Sequence, residues 1–556
     1  MKTHFLSWKT FALAGTVTAA AGFGLAAGDN YFEVGKNLEI FNELYKDINI
    51  YYVDEVSPGE LIDTGIDAML ESLDPYTQYI AESDLEDYRI MTTGQYGGIG
   101  AMIRKMGDYV VISEPYEEYP AMKSGIRAGD KLLEIDGRSV KGMNTDDVSK
   151  LLKGQAGTAV NVITERAGGT PETHALTREE IKIPDVPYKG MIDPVNKVGY
   201  IKLNSFTQTA GQEVRSAFKE LKDQGAEKMV LDLRGNGGGL LREAINIVNI
   251  WVPKGQTVVE TKGKISEWDK TYKTLSEPLD GEMPLVVLVD TGSASASEIV
   301  TGALQDLDRA VVVGNRTYGK GLVQQTRDLF YNSKLKVTVA KYYIPSGRCI
   351  QKVDYAQHDS TGHAVIKADS TILAFKTAHG RPVFDGRGIS PDITIDRPEM
   401  PKVVYGLYTS DIFFDFANQY RMQHDSIAQP DKFEVTDAIY DKFLEFAKDK
   451  HFEYRTQSQD DLDKLVADAK KERYYEVSKD AIDQLRTKLN PDRSEELTRF
   501  REDISEVLKA ELVTRYYYQT GRAEAMLSSD PAVKQALTVL NGAAYKDVLD
   551  GTYKAN

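Results

Sequence analysis

Apolar residues recur at two different spacings along this chain, and the change of spacing divides it into regions. Over residues 31–90 they follow the helical period, with Leu38, Phe41, Leu44 and Tyr45 on one predicted helix face. Residues 95–180 instead contain short apolar runs and turn signals, which predict a compact β-rich module with one small helix. Its predicted strands are 109–113, 131–135 and 160–164, and its predicted helix is 145–153.

The next stretch, residues 198–345, alternates unbroken apolar runs with amphipathic segments. Strands that are apolar on both faces, separated by amphipathic helices, are typical of a buried, mostly parallel α/β sheet. The predicted strands are 198–203, 229–233, 285–289, 309–313 and 335–343. The predicted helices are 208–223, 239–251 and 296–308.

The last part of the chain shows no motif with recognisable chemistry. Residues 346–400 are rich in loop-forming residues, and helical periodicity returns beyond Pro401 on densely charged segments. We interpret the region after Pro401 as a helical packing or scaffolding domain.

The first 27 residues have the pattern of a targeting segment. Lys2 and Lys9 precede an apolar, Ala- and Gly-rich run at 11–27, and small residues come before the polar Gly28. This pattern predicts a secretory signal peptide, with an uncleaved membrane anchor as the alternative. In either case we expect the bulk of the chain outside the cytoplasm, in the periplasm or cell envelope.

Composition excludes several classes of protein. With 556 residues, 41% hydrophobic and 27% charged, the chain is a multidomain globular protein rather than a disordered or multi-span membrane protein. The formal net charge of −16 disfavours nucleic acid as a partner. The single cysteine, Cys349, excludes an intrachain disulfide framework and a multi-thiolate zinc site.

The most informative motif follows the apolar run at 285–289. Residues 290–298 are small and polar, and they lead directly into a predicted helix. Such a turn places a serine hydroxyl at the carboxyl end of the sheet, beside N–H groups that can stabilise an oxyanion. The alternative is that Ser293, with Ser297 or Glu298, only caps the helix.

Two further glycine-rich segments follow predicted strands. Residues 235–239 form a turn whose bare N–H groups could approach a ligand, or a tight structural turn. Residues 314–321 match the phosphate-loop spacing GxxxxGK, but Gly321 stands where that loop needs Ser or Thr and a following helix. We therefore expect neither a nucleotide nor another cofactor there.

A nucleophilic serine needs a base, and two alternatives remain open from the residues alone. None of the histidines lies in the strand-turn-helix units that carry Ser295 and Gly238, although a triad assembled across distance stays possible. They are His4, His174, His358, His363, His379, His424 and His451. Lys320, flanked by glycine and apolar residues, could act as the base if burial lowers its pKa.

Together these blocks resemble the carboxy-terminal processing proteases, or tail-specific proteases, a family of Ser/Lys-dyad peptidases. The blocks that carry the resemblance are 73–76, 232–239, 293–299, 317–325, 342–348 and 388–392. The resemblance implies that Ser295 is the nucleophile, Lys320 the general base and Gln324 its supporting partner. It also implies an oxyanion hole made by the N–H groups of Ala296 and Gly238, and no metal.

The β-rich module resembles a PDZ domain. Tyr96, Gly97, Gly98, Ile99 and Gly100 match its carboxylate-binding loop, while Tyr119 replaces the small residue expected before Pro120. The resemblance implies protein or peptide substrates with accessible C-terminal tails. Membrane anchoring through the N-terminus and homo-oligomerisation are further expectations.

The fold class expected is an α/β crotonase-like protease core with an inserted β-rich PDZ domain, an N-terminal helical segment and a C-terminal all-helical domain. The expected divisions are 1–27, 28–94, 95–180, 181–400 and 401–556. Two other functions fit less well. One is a non-catalytic PDZ scaffold, against which the Ser295/Lys320 pair argues, and the other is a crotonase-like acyl-transfer enzyme, whose coenzyme A thioesters are scarce outside the cytoplasm.

Overall fold

The computed structural model describes residues 31–396, 399–489 and 493–553. These residues divide into two compact units, the first ending at residue 79 and the second beginning at residue 80. The predicted targeting segment at 1–27 lies outside the described residues. Among the helices that are described, none is both long and apolar enough to cross a bilayer.

The first unit is helical, as its spacing predicts. Helix α1 covers 31–51 and helix α2 covers Pro58–Glu71, which starts with proline in its first turn. The Tyr45 hydroxyl donates to the Pro58 carbonyl at 2.8 Å and joins the two helices. A turn at Asp74, whose carboxylate accepts from the Thr77 N–H, then leads into the short strand β1 (Gln78–Ile80).

A six-stranded sheet forms the centre of the second unit. Its order is β10-β11-β12-β15-β16-β23, and every neighbouring pair is parallel except β10 with β11. The strands are β10 (Tyr188–Asp193), β11 (Val198–Lys202), β12 (Lys228–Asp232), β15 (Leu285–Val289), β16 (Val311–Gly314) and β23 (Ile393–Thr394). The predicted parallel sheet is therefore confirmed for four of the five strands proposed.

The two faces of this sheet are covered by helices that are far apart in sequence. One face packs on α6 (Ala210–Asp223), α7 (Leu241–Val248) and α8 (Ala296–Asp306). The other face packs on α16 (Pro531–Asn541) and α17 (Ala544–Leu549), at the end of the chain. Burial on both sides explains why these strands are apolar without alternation.

The predicted strand at 335–343 exists but is wrongly placed in the parallel sheet. It forms β18 (Lys334–Tyr343) of a separate antiparallel sheet, paired with β13 (Thr257–Gly263) and β17 (Leu322–Asp328). Strand β14 (Lys270–Lys273) extends this sheet from β13. The reason is the hairpin from β17, whose strand directly precedes β18 and pairs with it along its whole length.

The β-rich module is an antiparallel sheet of order β3-β4-β5-β7-β8, with β6 at its edge on β5. Its strands are β3 (Ala101–Met106), β4 (Tyr109–Pro115), β5 (Lys131–Ile135), β6 (Arg138–Ser139), β7 (Ala159–Glu165) and β8 (Glu172–Thr177). Its helices are α4 (Pro120–Lys123) and α5 (Thr145–Leu152). The ribbon of β2 (Gln95–Gly98) with β9 (Glu179–Lys182) links it to the core, and helix α3 (Leu85–Thr93) precedes it.

Residues 346–396 contain loops and two short hairpins that buried charges hold against α8. The Arg348 guanidinium, 1% exposed, donates to Asp306 at 2.7 Å, and Arg381 donates to Asp308 at 2.6 Å. The hairpin strands are β19 (Val353–His358), β20 (Ala364–Ile366), β21 (Ala374–Lys376) and β22 (Pro382–Phe384). These contacts fix the C-terminal end of α8.

The helical region beyond Pro401 has its own core. Its helices are α9 (Lys402–Thr409), α10 (Ile412–Gln423), α11 (Asp437–Lys448), α12 (Gln457–Lys471), α13 (Tyr475–Leu489), α14 (Arg493–Arg499) and α15 (Arg501–Leu527). Residues of α9, α10, α11, α14 and α15 share one apolar cluster, whereas α12 and α13 form a small separate one. The guanidinium groups of Arg104 and Arg515 lie 3.7 and 4.5 Å from the ring centre of Phe414 on α10, and the Arg104 contact joins this region to the β-rich module.

Candidate active site

The turn between β15 and α8 holds Ser295 in a strained conformation. Its φ is 54° and its ψ is −113°, a backbone region that residues with a Cβ rarely occupy. Such strain costs about 1–3 kcal/mol and persists only where the surroundings impose it. A serine on a sharp, strained strand-to-helix turn is the arrangement that exposes a nucleophile at the top of an α/β sheet.

The three serines of the turn differ in their surroundings. Ser293 and Ser297 are fully buried, and their hydroxyls donate to the carbonyls of Leu233 and Asn236, both at 2.9 Å. Ser295 between them is partly exposed. Ser293 and Ser297 therefore fasten the turn to the neighbouring loop, and Ser295 is the one that a substrate can reach.

That neighbouring loop is the glycine segment 235–239, which follows β12. Gly238 has a φ of +99°, and a Cβ on it would lie 2.8 Å from the Ser295 Cβ and 2.9 Å from the Ala296 nitrogen. Only glycine fits this position, because any side chain would collide with the serine turn. The structure therefore brings Gly238 and Ser295 together.

The N–H of Gly238 does not point to an oxyanion site in this structure. It donates to the Asn236 side-chain oxygen at 2.9 Å, in the local bond that Asn side chains commonly offer the backbone two residues on. Asn236 is fully buried and its amide donates to the Leu203 carbonyl at 2.9 Å. The N–H of Ala296 is different, since the first residue of a helix has no intrahelical acceptor.

The loop between β16 and β17 brings Lys320 to the serine turn. Tyr318 N–H donates to the Ser293 carbonyl at 3.0 Å, and Gly319 adopts a φ of +92° close to the backbone of Gly388. Lys320 is partly buried. The Lys320 loop and the Ser295 turn thus lie side by side.

Glu298 and Tyr342 connect these two backbones. The fully buried Glu298 carboxylate accepts from the N–H groups of Ser295 and Lys320, at 2.9 and 2.8 Å, through the same oxygen, Oε2. Its other oxygen accepts from the Thr317 hydroxyl at 2.5 Å and the Gly319 N–H at 2.7 Å. The Tyr342 hydroxyl, also buried, lies 2.7 Å from the Lys320 carbonyl and 3.2 Å from that of Ser295.

Burial raises the pKa of Glu298 to about 7, although the four hydrogen bonds to its carboxylate oppose that rise. Burial together with the Glu298 charge raises the pKa of Tyr342 well above its usual range, so this hydroxyl stays a neutral donor. Sequence reasoning considered Glu298 only as a cap and did not assign Tyr342 a role. The available signal was the capping-box spacing from Ser295 to Glu298.

Gln324 lies on β17, four residues after Lys320. Its side-chain nitrogen donates to the Thr338 hydroxyl on β18 at 3.1 Å, across the register pair that these residues form. This bond gives the amide a fixed orientation within the antiparallel sheet.

The predicted carboxylate-binding loop is tightly packed. Tyr96 is buried, Gly97 lies so close to the Gly154 carbonyl that a Cβ would come within 2.0 Å, and Gly100 has a φ of +71° against Tyr119. The Ile99 carbonyl accepts from the Ala121 N–H at 2.8 Å. Gly98 is the glycine of this set whose Cβ would meet only the neighbouring Tyr96 ring.

Tyr119, the departure from the expected small residue, contributes to this packing. Its hydroxyl accepts from the Lys182 N–H at 2.9 Å and approaches the Lys182 carbonyl at 3.2 Å. A large cavity of about 840 Å³ lies nearby between α3 and α5, bordered by Asp87, Gly97 and Lys153. Neither Ser295 nor Lys320 lines that cavity.

Three of the described histidines contact groups in other parts of the protein. His174 lies 3.0 Å from the Thr164 hydroxyl in the β-rich module, His379 lies 3.4 Å from the Leu549 carbonyl, and His424 stacks on Tyr420. Within the described ranges, no three His, Cys, Asp or Glu side chains are grouped closely enough to hold a metal ion.

Comparison with known proteins divides the chain into three matched parts. A family model described as peptidase family S41 matches residues 197–360, and one described as a PDZ domain matches 111–166. A third, described as a probable PDZ-protease C-terminal helical domain, matches 403–540.

Two proteins and one solved structure are each similar to more than half of this chain. A probable CtpA-like serine protease of Staphylococcus aureus (strain bovine RF122 / ET3-1) is 35% identical over 65% of this chain and 66% of its own length. The match thus spans just under two thirds of that relative. A carboxy-terminal-processing protease of Bartonella bacilliformis is 33% identical over 63% of this chain and 78% of its own. The photosystem II D1 C-terminal processing protease is 31% identical, covering 65% of this chain and 93% of its own, with a TM-score of 0.35.

Proposed function

Because the chain belongs to the carboxy-terminal-processing proteases of peptidase family S41, we propose that it is a serine endopeptidase that cleaves C-terminal tails of exported proteins. Its PDZ domain recognises the tail, and a Ser295/Lys320 dyad performs the cleavage. The observation that carries the proposal is the serine turn. Ser295, which is strained and partly exposed, lies beside the Lys320 backbone, whereas Ser293 and Ser297 are buried and hydrogen-bonded to the neighbouring loop.

The chemistry proceeds in two halves. The Ser295 Oγ attacks a peptide carbonyl carbon while the neutral Lys320 amine takes the hydroxyl proton. The tetrahedral intermediate collapses to an acyl-enzyme, and Lys320 returns the proton to the departing amine. Water then gives a proton to Lys320 and attacks the ester carbon. As the ester bond breaks, Lys320 passes that proton to the Ser295 Oγ, which releases the new carboxyl terminus and restores both Ser295 and the neutral amine. This cycle uses no metal and no nucleotide.

The remaining site residues support this cycle. Ala296 N–H, at the positive end of α8, stabilises the oxyanion. Gly238 becomes the second donor when its N–H leaves Asn236 for the developing charge, a short move within a glycine turn that already touches Ser295. Gln324, oriented by Thr338, supports the Lys320 amine in its neutral form.

Tail recognition belongs to the PDZ domain. The tail adds as a strand to its sheet, and N–H groups of the loop Tyr96–Gly100 hold the terminal carboxylate. The targeting pattern at 11–27 supports export to the periplasm or cell envelope, with a membrane anchor as its other form. The same proposal includes a crotonase-like fold for the protease core and assembly of the protein into homo-oligomers.

The test is cleavage of unfolded proteins with apolar C-termini by the purified full chain, with products mapped by mass spectrometry. We expect cleavage by the wild type, none by Ser295→Ala, and slower cleavage when the substrate C-terminus is amidated. Tail binding without cleavage would indicate a PDZ scaffold instead. Acyl transfer from a thioester without peptide cleavage would indicate the acyl-transfer alternative.

The PDZ part has its own arm in this experiment. In Gly98→Val the new Cβ would lie 2.7 Å from the Tyr96 ring, so this side chain of the same loop must shift, and the variant should slow cleavage of free-tailed substrates. Gly97→Ala is the matched comparison that should unfold the loop, because its Cβ would strike the Gly154 carbonyl. If the wild type cleaves substrates with free and amidated C-termini at equal rates, the PDZ domain does not select substrates by their terminal carboxylate.

A further inference from the structure

We propose that Glu298 and Tyr342 are positioning residues that set the spacing between the nucleophile and the base. This inference rests on the proposed function, because it assigns the two residues to the Ser295/Lys320 reaction. Neither side chain needs to touch the substrate. Each acts through the main chain of Ser295 and Lys320, which both of them bind.

Glu298 binds backbone donors, and Tyr342 binds backbone acceptors. Glu298 takes the N–H groups of Ser295 and Lys320 on a single oxygen, so both nitrogens lie within 2.9 Å of one atom. The Tyr342 hydroxyl shares its one hydrogen between the two carbonyls of the same residues, at 2.7 Å from that of Lys320 and 3.2 Å from that of Ser295. Four backbone groups on two segments, 25 positions apart in sequence, are thereby held by two buried side chains.

Position 298 requires a side chain that accepts four hydrogen bonds, and a carboxylate is the one side chain of this size that does so. Each of its oxygens faces two donors, Ser295 and Lys320 on one side and Thr317 and Gly319 on the other. In Glu298→Gln the amide nitrogen must replace one oxygen in either orientation, and it would then face two donors with hydrogens of its own. The isosteric change therefore separates the two segments without opening a cavity.

The protonation state of Glu298 follows from the same contacts. Three of its four partners are backbone N–H groups, which can only donate, and the fourth is the Thr317 hydroxyl, so the ionised carboxylate accepts from all four. Burial raises the pKa of Glu298 to about 7, which places its loss of charge within the working range of an assay. The titratable residues that interact with Glu298 in the described contacts are Lys320, through its backbone N–H, and Tyr342 on β18; its other hydrogen-bond partners, Ser295, Thr317 and Gly319, do not titrate.

The experiment measures kcat and KM of the full chain on a free-tailed substrate for Glu298→Gln and Tyr342→Phe. Two control variants remove the same chemical groups from buried sites elsewhere. Glu243→Gln changes a buried glutamate that accepts from the Gly211 N–H, and Tyr440→Phe removes a buried hydroxyl that donates to the Leu497 carbonyl. Thermal unfolding of all four variants shows which of them are folded.

We expect kcat to fall about a hundredfold in Glu298→Gln, as a misplacement near 1 Å does, with KM within twofold. Tyr342→Phe should lower kcat about fivefold, the worth of one hydrogen bond. Both controls should keep kcat within twofold of the wild type. If Glu298→Gln does not fold, Tyr342→Phe decides alone: a kcat equal to that of Tyr440→Phe overturns the proposal.

The pH profile separates positioning from a purely structural role. In the wild type kcat should fall as pH decreases through about 7, where Glu298 loses its charge, in addition to the dependence that protonation of the Lys320 amine contributes. Glu298→Gln should lack the first contribution, so its plot of log kcat against pH should have a smaller slope below pH about 7 than that of the wild type. An unchanged slope, or a kcat like that of Glu243→Gln, overturns the inference while Ser295→Ala remains inactive. Activity in Ser295→Ala would instead overturn the proposed function itself.

Discussion

Arg234 donates to the Asp530 carboxylate at 2.7 Å, although 296 residues separate them in the chain. Arg234 belongs to the turn that carries the glycine segment 235–239, and Asp530 caps α16, the helix that covers the far face of the parallel sheet. The end of the chain is therefore attached to the loop that touches Ser295. Four predictions follow from this contact and from the geometry around it.

Asp530 performs two tasks, and two substitutions separate them. Its Oδ1 accepts from the N–H groups of Ala532 and Val533 at the start of α16, and its Oδ2 takes Arg234. Asp530→Ala should lower the free energy of unfolding by about 1–3 kcal/mol, because it removes an N-cap and a partly buried ion pair. Asp530→Asn keeps the cap, so it should lower the free energy of unfolding by less than Asp530→Ala does. Urea unfolding measures both, and equal losses would show that the cap contributes nothing.

Asp232 should make the stability of the protein depend on acid. Burial alone would raise its pKa, but Lys202 and Arg234 overcome this and hold the pKa of the carboxyl at about 2, below its unfolded value near 4. The stabilisation is thus present above pH about 4 and is lost as pH falls through 2. Asp232→Asn should have a lower free energy of unfolding than the wild type at neutral pH, and this difference should become smaller between pH 4 and 2. Urea unfolding at several pH values measures it. A difference that stays constant over this interval would contradict the lowered pKa of Asp232.

The strain at Ser295 should be visible in stability. Glycine adopts a φ of 54° without a Cβ clash, so Ser295→Gly should be more stable than Ser295→Ala by about 1 kcal/mol, despite the extra freedom of unfolded glycine. Both variants should be inactive. Ser293→Ala and Ser297→Ala should each lower the free energy of unfolding by about 1 kcal/mol, because each removes a buried hydrogen bond. Thermal unfolding compares all four, and an equal stability of the Gly and Ala variants at 295 would argue against a strained turn.

Lys320→Arg tests the base. Arginine keeps the positive charge but stays protonated, since its pKa exceeds ~12, so it cannot accept the Ser295 proton. We expect Lys320→Arg and Lys320→Ala both to lose cleavage by about 10²–10⁴-fold, the usual worth of general-base help. Wild-type activity should rise with pH as the amine loses its proton. Substantial cleavage by Lys320→Arg would mean that the charge, not the basicity, of Lys320 matters, and would reopen the search for a distant histidine.

The sequence by itself determined the features that depend on neighbouring residues. Apolar runs without alternation located β11, β12, β15 and β16, and the stretch of small residues located the strand-to-helix turn at Ser295. Its helix predictions were correct in position, although α7 begins at Leu241 rather than at 239, since the glycine segment extends to Leu240. Backbone period and turn chemistry are local properties, and they can be read from a few consecutive residues.

Only the tertiary structure decided which of three similar serines is accessible, because their burial depends on the carbonyls of Leu233 and Asn236 from another strand and loop. It also decided that Glu298 joins Ser295 to Lys320, that Asn236 takes the Gly238 N–H, and that β18 leaves the parallel sheet. The cover of the sheet by α16 came from the far end of the chain. Such contacts join segments tens to hundreds of residues apart, and a local pattern states which face of an element is apolar but not what will cover it.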